Sequence, residues 1–181
     1  TAIAYATLLK PLGWKPTICL PSNASAERKN ILKSLGAELI LTSPLEGTDG
    51  AQIVAKETYA ANPDKYFYAD QYSNDANWQA HYLTTAEEIW TQTKGKITHF
   101  VAGLGTTGTF VGTARRLKEL GNVQLISLQP DHPFHPLEGW KHLATAHRPG
   151  IYDDTIADKT LIIDSSGVFD MIKSISIHER L

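Results

Sequence analysis

Glycines 103, 105 and 108 and threonines 106, 107 and 109 are interleaved in one short run, Gly103-Leu104-Gly105-Thr106-Thr107-Gly108-Thr109, and residues of these types at this spacing can hold a phosphate. Glycines let the backbone turn sharply and approach an anion, and a helix beginning at the run would aim its first free N–H groups and its dipole at that anion. The three hydroxyls add neutral donors, enough for a monoester phosphate without an adjacent Lys or Arg. The same residues also fit G-x-G-x-x-G, which leaves a nicotinamide-dinucleotide site open. Such a site wants an acidic residue about 20 residues further on, at the end of the next strand. Asp131 comes late for that role, after Gln129-Pro130. A P-loop is excluded, because no Lys-Ser or Lys-Thr follows the glycines. The plain alternative is a strand-to-helix turn that binds nothing.

Other residues carry weaker signals. Gln71, in Asp70-Gln71-Tyr72-Ser73-Asn74, follows a strand-like run and could donate to a substrate carboxylate, or only satisfy its own turn. His132, His135, His142 and His147 cluster, but without the Cys or carboxylate companions a closed metal site prefers, so no metal is expected. Asp164-Ser165-Ser166-Gly167 follows a strand and opens a helix, where Ser165 or Ser166 reads as an N-cap rather than a second anion loop. Cys19 reads as a buried strand position, and Trp14, Trp78, Trp90 and Trp140 as packing residues.

These candidates must be held by short apolar runs alternating with helical patterns. Strands are predicted at 17–20, 38–42, 66–69, 97–102, 124–129 and 160–164, each nearly continuous in apolarity, as in parallel strands covered on both faces. Helices are predicted at 2–12, 24–35, 50–61, 76–92 and 108–120, and a further one from Val168 to Leu181. Ser22 or Asn23 can cap the second of these, with Gly36 past its end. The fold class is therefore α/β, with mostly parallel sheets and flanking helices. A boundary near Ser73-Asn74-Asp75 divides residues 1–73, most of a smaller mobile α/β domain, from residues 74–181, part of a larger cofactor-binding one, with a cleft between them. The first helix, apolar almost all round, is expected to be buried, and both ends read as cuts through a larger fold.

Composition narrows the partners. With 17 basic against 19 acidic residues and no basic run, nucleic acid is not expected. No apolar stretch approaches the roughly 20 residues that span a bilayer, and no signal-peptide pattern opens the chain. A single cysteine excludes an internal disulfide and suits a reducing, cytoplasmic setting.

Taken jointly, further segments resemble the cysteine synthases (O-acetylserine sulfhydrylases) of the tryptophan synthase β-subunit superfamily, fold type II pyridoxal 5'-phosphate enzymes, and most closely the cysteine synthase B type. The resemblance runs nearly end to end. It rests on Thr1-Ala2-Ile3-Ala4, Leu20-Pro21 with Ser25-Ala26-Glu27-Arg28-Lys29, Leu35-Gly36-Ala37-Glu38, Gln71 to Asn77, His81-Tyr82 with Thr84 to Trp90, Gly105 to Thr109, Leu128-Gln129-Pro130 and Gly150-Ile151-Tyr152. It implies a cytoplasmic, homodimeric transferase of cysteine biosynthesis, performing β-replacement on an activated serine such as O-acetylserine with sulfide or a thiol-like donor. Carried over by residue, Gly105, Thr106, Thr107, Gly108 and Thr109 would hold the cofactor phosphate. Thr1 and Gln71 would meet the substrate carboxylate, and Tyr72 and Gly139 would line the pocket. Ala2 stands where the family usually has Gly, and the 131–140 loop departs from the family's wording, which opens substrate choice. None of the 12 lysines has the context of the family's cofactor-bonded lysine, which would precede Thr1, and the serine facing the pyridine nitrogen would follow Leu181. The chain is thus expected to be a fragment with no catalytic residue of its own and inactive alone. The alternatives are a nicotinamide-dependent enzyme using Gly103, Gly105 and Gly108, or an inert binding or regulatory module of the same fold.

Overall fold

The computed structural model describes residues 1–137 and 139–179, and the chain divides into two compact units, Thr1–Tyr68 and Ala69–Leu181. The division falls shortly before the turn at Ser73-Asn74-Asp75.

In the first unit, helix α1 (Ala2–Leu9) runs into a tight 3-10 turn (Lys10–Leu12), where Pro11 cannot supply the next intrahelical N–H and Gly13 closes the turn at φ 74°. Strand β1 (Thr17–Pro21), helix α2 (Ala26–Ser34) and strand β2 (Glu38–Thr42) form a β-α-β unit. The strands pair in parallel from Thr17 opposite Glu38 to Pro21 opposite Thr42, an arrangement that needs a crossover, and α2 supplies it. The cap of α2 is Ser25, whose hydroxyl accepts from Arg28 N–H at 3.3 Å, not Ser22 or Asn23: the chain bends through a turn at those residues before the helix starts. Helix α3 (Gly47–Ala61) packs on both strands. Helix α1 departs from its expected burial. Only Ala6 is buried, α1 packs one side on α2, and Leu8 stays exposed. Cys19 is half-buried on β1 rather than fully enclosed, and burial pushes its thiol pKa up, away from the reactive thiolate.

In the second unit, the expected helix 76–92 forms as helix α4 (Ala76–Ala80), a π-helical turn (His81–Thr85) and helix α5 (Ala86–Gln92). Strand β3 (His99–Gly103), helix α6 (Gly108–Leu120), strand β4 (Gln124–Pro130) and strand β5 (Lys159–Ile163) follow, then a 3-10 turn (Ser165–Gly167) and helix α7 (Val168–His178). The sheet order is β3-β4-β5, all parallel. Residues 66–69 form no strand: Asp70 at φ 39° turns the chain directly after them, and the β-branched or aromatic character read as strand is used elsewhere, with Tyr68 stacked near Tyr59.

The core of this unit lies between α6 and the sheet. Phe110, Val111, Ala114 and Leu117 recur at helical spacing on one stripe of α6 and meet Leu104, Val123, Leu125, Ala86 and Ile156, with Trp78 and Trp90 packed at its border. The opposite side of the strands is less covered than a fully enclosed parallel sheet, with Val101 and Ile162 each more than half exposed. Between β4 and β5, the hydroxyls of Ser127 and Thr160 meet at 2.8 Å, pairing a polar group that the core would otherwise strand. Among the described residues no helix is long and apolar enough to cross a membrane.

Candidate phosphate-binding loop

The Gly/Thr run sits where strand β3 hands over to helix α6. Gly108 opens the helix, so the N–H groups of its first turn have no carbonyl within the helix to donate to. Ahead of it, Thr107 is left-handed, at φ 72°. A β-branched residue rarely adopts that backbone, and holding it there costs on the order of 1–3 kcal/mol. Thr107 is also buried, and its hydroxyl has no hydrogen-bond partner among the described residues. A strained backbone and an unpaired buried hydroxyl thus meet at one residue of the loop. Gly105 and Thr106 are half-exposed and Thr109 is exposed, so the loop presents both backbone and hydroxyl donors to an incoming group.

Close neighbours explain the glycines. A Cβ on Gly105 would collide with the carbonyl oxygen of Gly139, one on Gly103 with the ring of Trp140, and one on Gly108 with the side-chain amide of Asn77. Asn77 bridges two segments, donating through Nδ2 to the Gln71 carbonyl at 2.6 Å and to the Thr106 hydroxyl at 3.1 Å. Thr106 Oγ1 in turn accepts from the Gly108 N–H at 3.4 Å. At Gly112, a Cβ would strike the Trp78 carbonyl, which is why α4 and the π-helical turn can lie close against α6. That proximity brings His81 Nε2 to 3.1 Å from the Thr109 hydroxyl, while His81 Nδ1 lies 3.0 Å from Thr85 Oγ1. Burial lowers the His81 pKa, favouring the neutral ring.

The other expected positions in this unit gather around the same loop. Gln71 reaches it through Asn77, and Gly139, left-handed at φ 86°, lies against Gly105. Tyr72 accepts from Ile151 N–H at 3.2 Å through its carbonyl, and its ring lies 5.0 Å from Lys141 Nζ. The buried Lys141 ties back to the loop by donating its backbone N–H to the Leu104 carbonyl at 2.8 Å. Thr1 lies in the first unit, where it precedes α1 and its carbonyl accepts from Tyr5 N–H at 2.9 Å. Sequence reasoning passed over two participants. Asn77 stood only as the end of a family-like segment, and His81 only as part of another; neither spacing announces a partner about 30 residues away.

The rival signals have local roles. Asp131, the acidic residue a dinucleotide site would need, accepts from both the N–H and the hydroxyl of Ser165, at 3.2 and 2.7 Å, and these donors hold its pKa below the usual carboxylate value. The cap of the following turn is Asp164, accepting from Ser166 N–H at 2.9 Å, rather than Ser165 or Ser166: the carboxylate outcompetes a hydroxyl that is itself donating. His132 and His135 each accept a backbone N–H from two residues on, and His142 meets the Thr145 hydroxyl at 2.8 Å. Among the described residues no three His, Cys, Asp or Glu side chains gather around a common point.

Comparison with known proteins places the chain in a family. The family model described as "Pyridoxal-phosphate dependent enzyme" matches residues 1–175. A cysteine synthase of Aquifex aeolicus is 50% identical over 170 residues, covering 93% of this chain and 52% of the relative. Cysteine synthase B of Escherichia coli K12 is 36% identical over 182 residues, covering 100% of this chain and 59% of the relative. The chain therefore spans little more than half the length of these relatives. Among solved structures, the O-acetylserine dependent cystathionine beta-synthase of Helicobacter pylori superposes with a TM-score of 0.89 at 30% identity, over 100% of this chain and 61% of that one.

Proposed function

Because the chain belongs to the family of pyridoxal-phosphate dependent enzymes, we propose that the whole protein is a transferase that replaces the β-substituent of an activated serine, such as O-acetylserine, with sulfide or a thiol-like donor to form cysteine. The observation that carries the reading is Thr107, left-handed and buried with an unpaired hydroxyl at the mouth of a helix. Both its strain and its missing hydrogen bond are costs to the bare fold, and proteins retain such costs where a bound group repays them. The residues present fit the cofactor: Gly105, Thr106, Thr107, Gly108 and Thr109 would hold its phosphate with neutral donors and a helix N-terminus.

When bound, pyridoxal 5'-phosphate supplies an electron sink for the substrate's Cα, which makes the β-substituent able to leave. The chain's own part is to bind and orient. On the family resemblance Gln71 takes the substrate carboxylate, and Tyr72 and Gly139 form the wall of the pocket. Residues 1–73 serve as most of the smaller domain and 74–181 as part of the larger one. No residue of this chain is assigned the covalent bond to the cofactor. The family resemblance extends the proposal to a homodimer, and the half-buried single cysteine suits a cytoplasmic protein.

The competing dinucleotide reading loses its support at Asp131, whose carboxylate is taken up by the N–H and hydroxyl of Ser165. An absorbance titration of the whole protein with pyridoxal 5'-phosphate, followed by O-acetylserine, tests the proposal. A visible band of lysine-bound cofactor that shifts on adding the substrate is expected. A bound cofactor that ignores O-acetylserine would point to an inert module, and no binding at all would overturn the reading.

A further inference from the structure

The hydroxyl of Thr109 is met by His81, a residue on a different element, in an arrangement where the tautomer of the ring sets which way the hydroxyl can donate. His81 lies in the π-helical turn, a form of helix that recurs at functional sites. Its two ring nitrogens each face one threonine oxygen, Thr109 Oγ1 at 3.1 Å and Thr85 Oγ1 at 3.0 Å. A neutral imidazole has one N–H and one bare nitrogen, so only two tautomers are available. With the proton on Nδ1, Nε2 must accept the Thr109 O–H, and Thr109 then offers only lone pairs to the loop. With the proton on Nε2, His81 donates to Thr109, the Thr85 hydroxyl donates to Nδ1, and the Thr109 proton is free for an anion.

Resting on the phosphate-loop reading above, we propose that His81 is a positioning residue: protonated on Nε2 and backed by Thr85, it turns the Thr109 hydroxyl into a donor committed to the cofactor phosphate. Three observations support it. Thr109 is exposed at the first turn of α6, where a ligand can reach it. Gly112 removes the side chain that would otherwise hold His81 away from that turn, since a Cβ there would crowd the Cβ of His81 at 2.9 Å. Partial burial favours the neutral ring, for which the tautomer choice is decisive.

The test uses the whole protein and pyridoxal 5'-phosphate, with affinity measured by equilibrium dialysis and the ring nitrogens of His81 followed by nitrogen-15 resonance. The loaded protein is expected to show His81 as the Nε2–H tautomer. His81→Phe should weaken cofactor binding about tenfold, because Thr109 keeps its hydroxyl but loses the donor that commits its proton to the phosphate. His81→Gln, whose amide N–H reaches the same place, should restore it to within about twofold. Thr109→Val should weaken binding, and adding His81→Phe to it should cost nothing more, because the two act through one hydroxyl. An Nδ1–H tautomer in the loaded protein, or undiminished binding by a folded His81→Phe while Thr109→Val is impaired, overturns the inference and leaves the loop standing. Undiminished binding by Thr109→Val overturns the phosphate-loop reading itself. Should His81→Phe not fold, the tautomer in the unsubstituted protein and the Gln variant decide.

Discussion

The amide of Asn77 fills the space that a side chain on Gly108 would need. One residue lies in α4 and the other opens α6, and their contact locks the start of the helix against the segment that carries Gln71. Gly108→Ala should therefore displace Asn77 and break its two hydrogen bonds. A loss of about 1–3 kcal/mol in stability is expected from the forced rearrangement, read by urea denaturation, together with weakened binding of pyridoxal 5'-phosphate.

Asn77 itself is open to a sharper test. Its Nδ2 donates to two oxygens, so Asn77→Asp, nearly identical in shape, would set a carboxylate against the Gln71 carbonyl, while the Thr106 hydroxyl could turn to donate to it. Stability should fall by about 1–3 kcal/mol, and the loss should shrink as the introduced carboxylate is protonated in acid.

Thr107 predicts a trade. Thr107→Gly removes a left-handed β-branched residue and an unpaired buried hydroxyl, so the cofactor-free protein should melt no lower than the unsubstituted one. Its affinity for pyridoxal 5'-phosphate should fall. A variant that melts much lower and binds as before would show that the threonine serves packing alone.

Acid should destabilise the protein through two histidines. Burial lowers the pKa of His81, and burial together with the neighbouring His132 and His142 lowers that of His135, both from the ordinary 6.5. Between the lowered folded value and 6.5 the unfolded chain binds more protons, so stability rises with pH there. The contribution is complete above the unfolded value and lost as the pH drops below it. Urea midpoints should be level in mildly alkaline buffer and decline through the weakly acidic range. Combining His81→Gln with His135→Gln should flatten that decline.

The core offers a control away from the loop's chemistry. Phe110 is buried on α6 and stacks near Phe100 at 6.0 Å between ring centroids. Phe110→Ala should cost about 3–5 kcal/mol, measured by chemical denaturation, with the secondary structure retained in the folded fraction by circular dichroism.

Much of this protein could be read from its residues in order. Helix α6 was legible because its apolar residues repeat at helical spacing beside a Gly-rich start, and strands β1 to β5 because each is a short apolar run bounded by turns. Residues 66–69 misled, because aromatic content resembles strand content until a neighbour is present to pair with, and the left-handed Asp70 ends the run. The cap of α2 fell on Ser25 rather than Ser22 because capping serines look alike until the turn before the helix is placed. The sequence by itself determined the α/β class, the loop from Gly105 to Thr109 and its family, since these depend on residue type and local spacing. Only the tertiary structure decided that Asn77 braces Gly108, that His81 faces Thr109, that Asp131 is taken by Ser165, and that Thr107 bears both strain and an unpaired hydroxyl. Each of these is a contact or a backbone angle set by packing between segments distant in the chain, and no local pattern of residue types encodes such a distance.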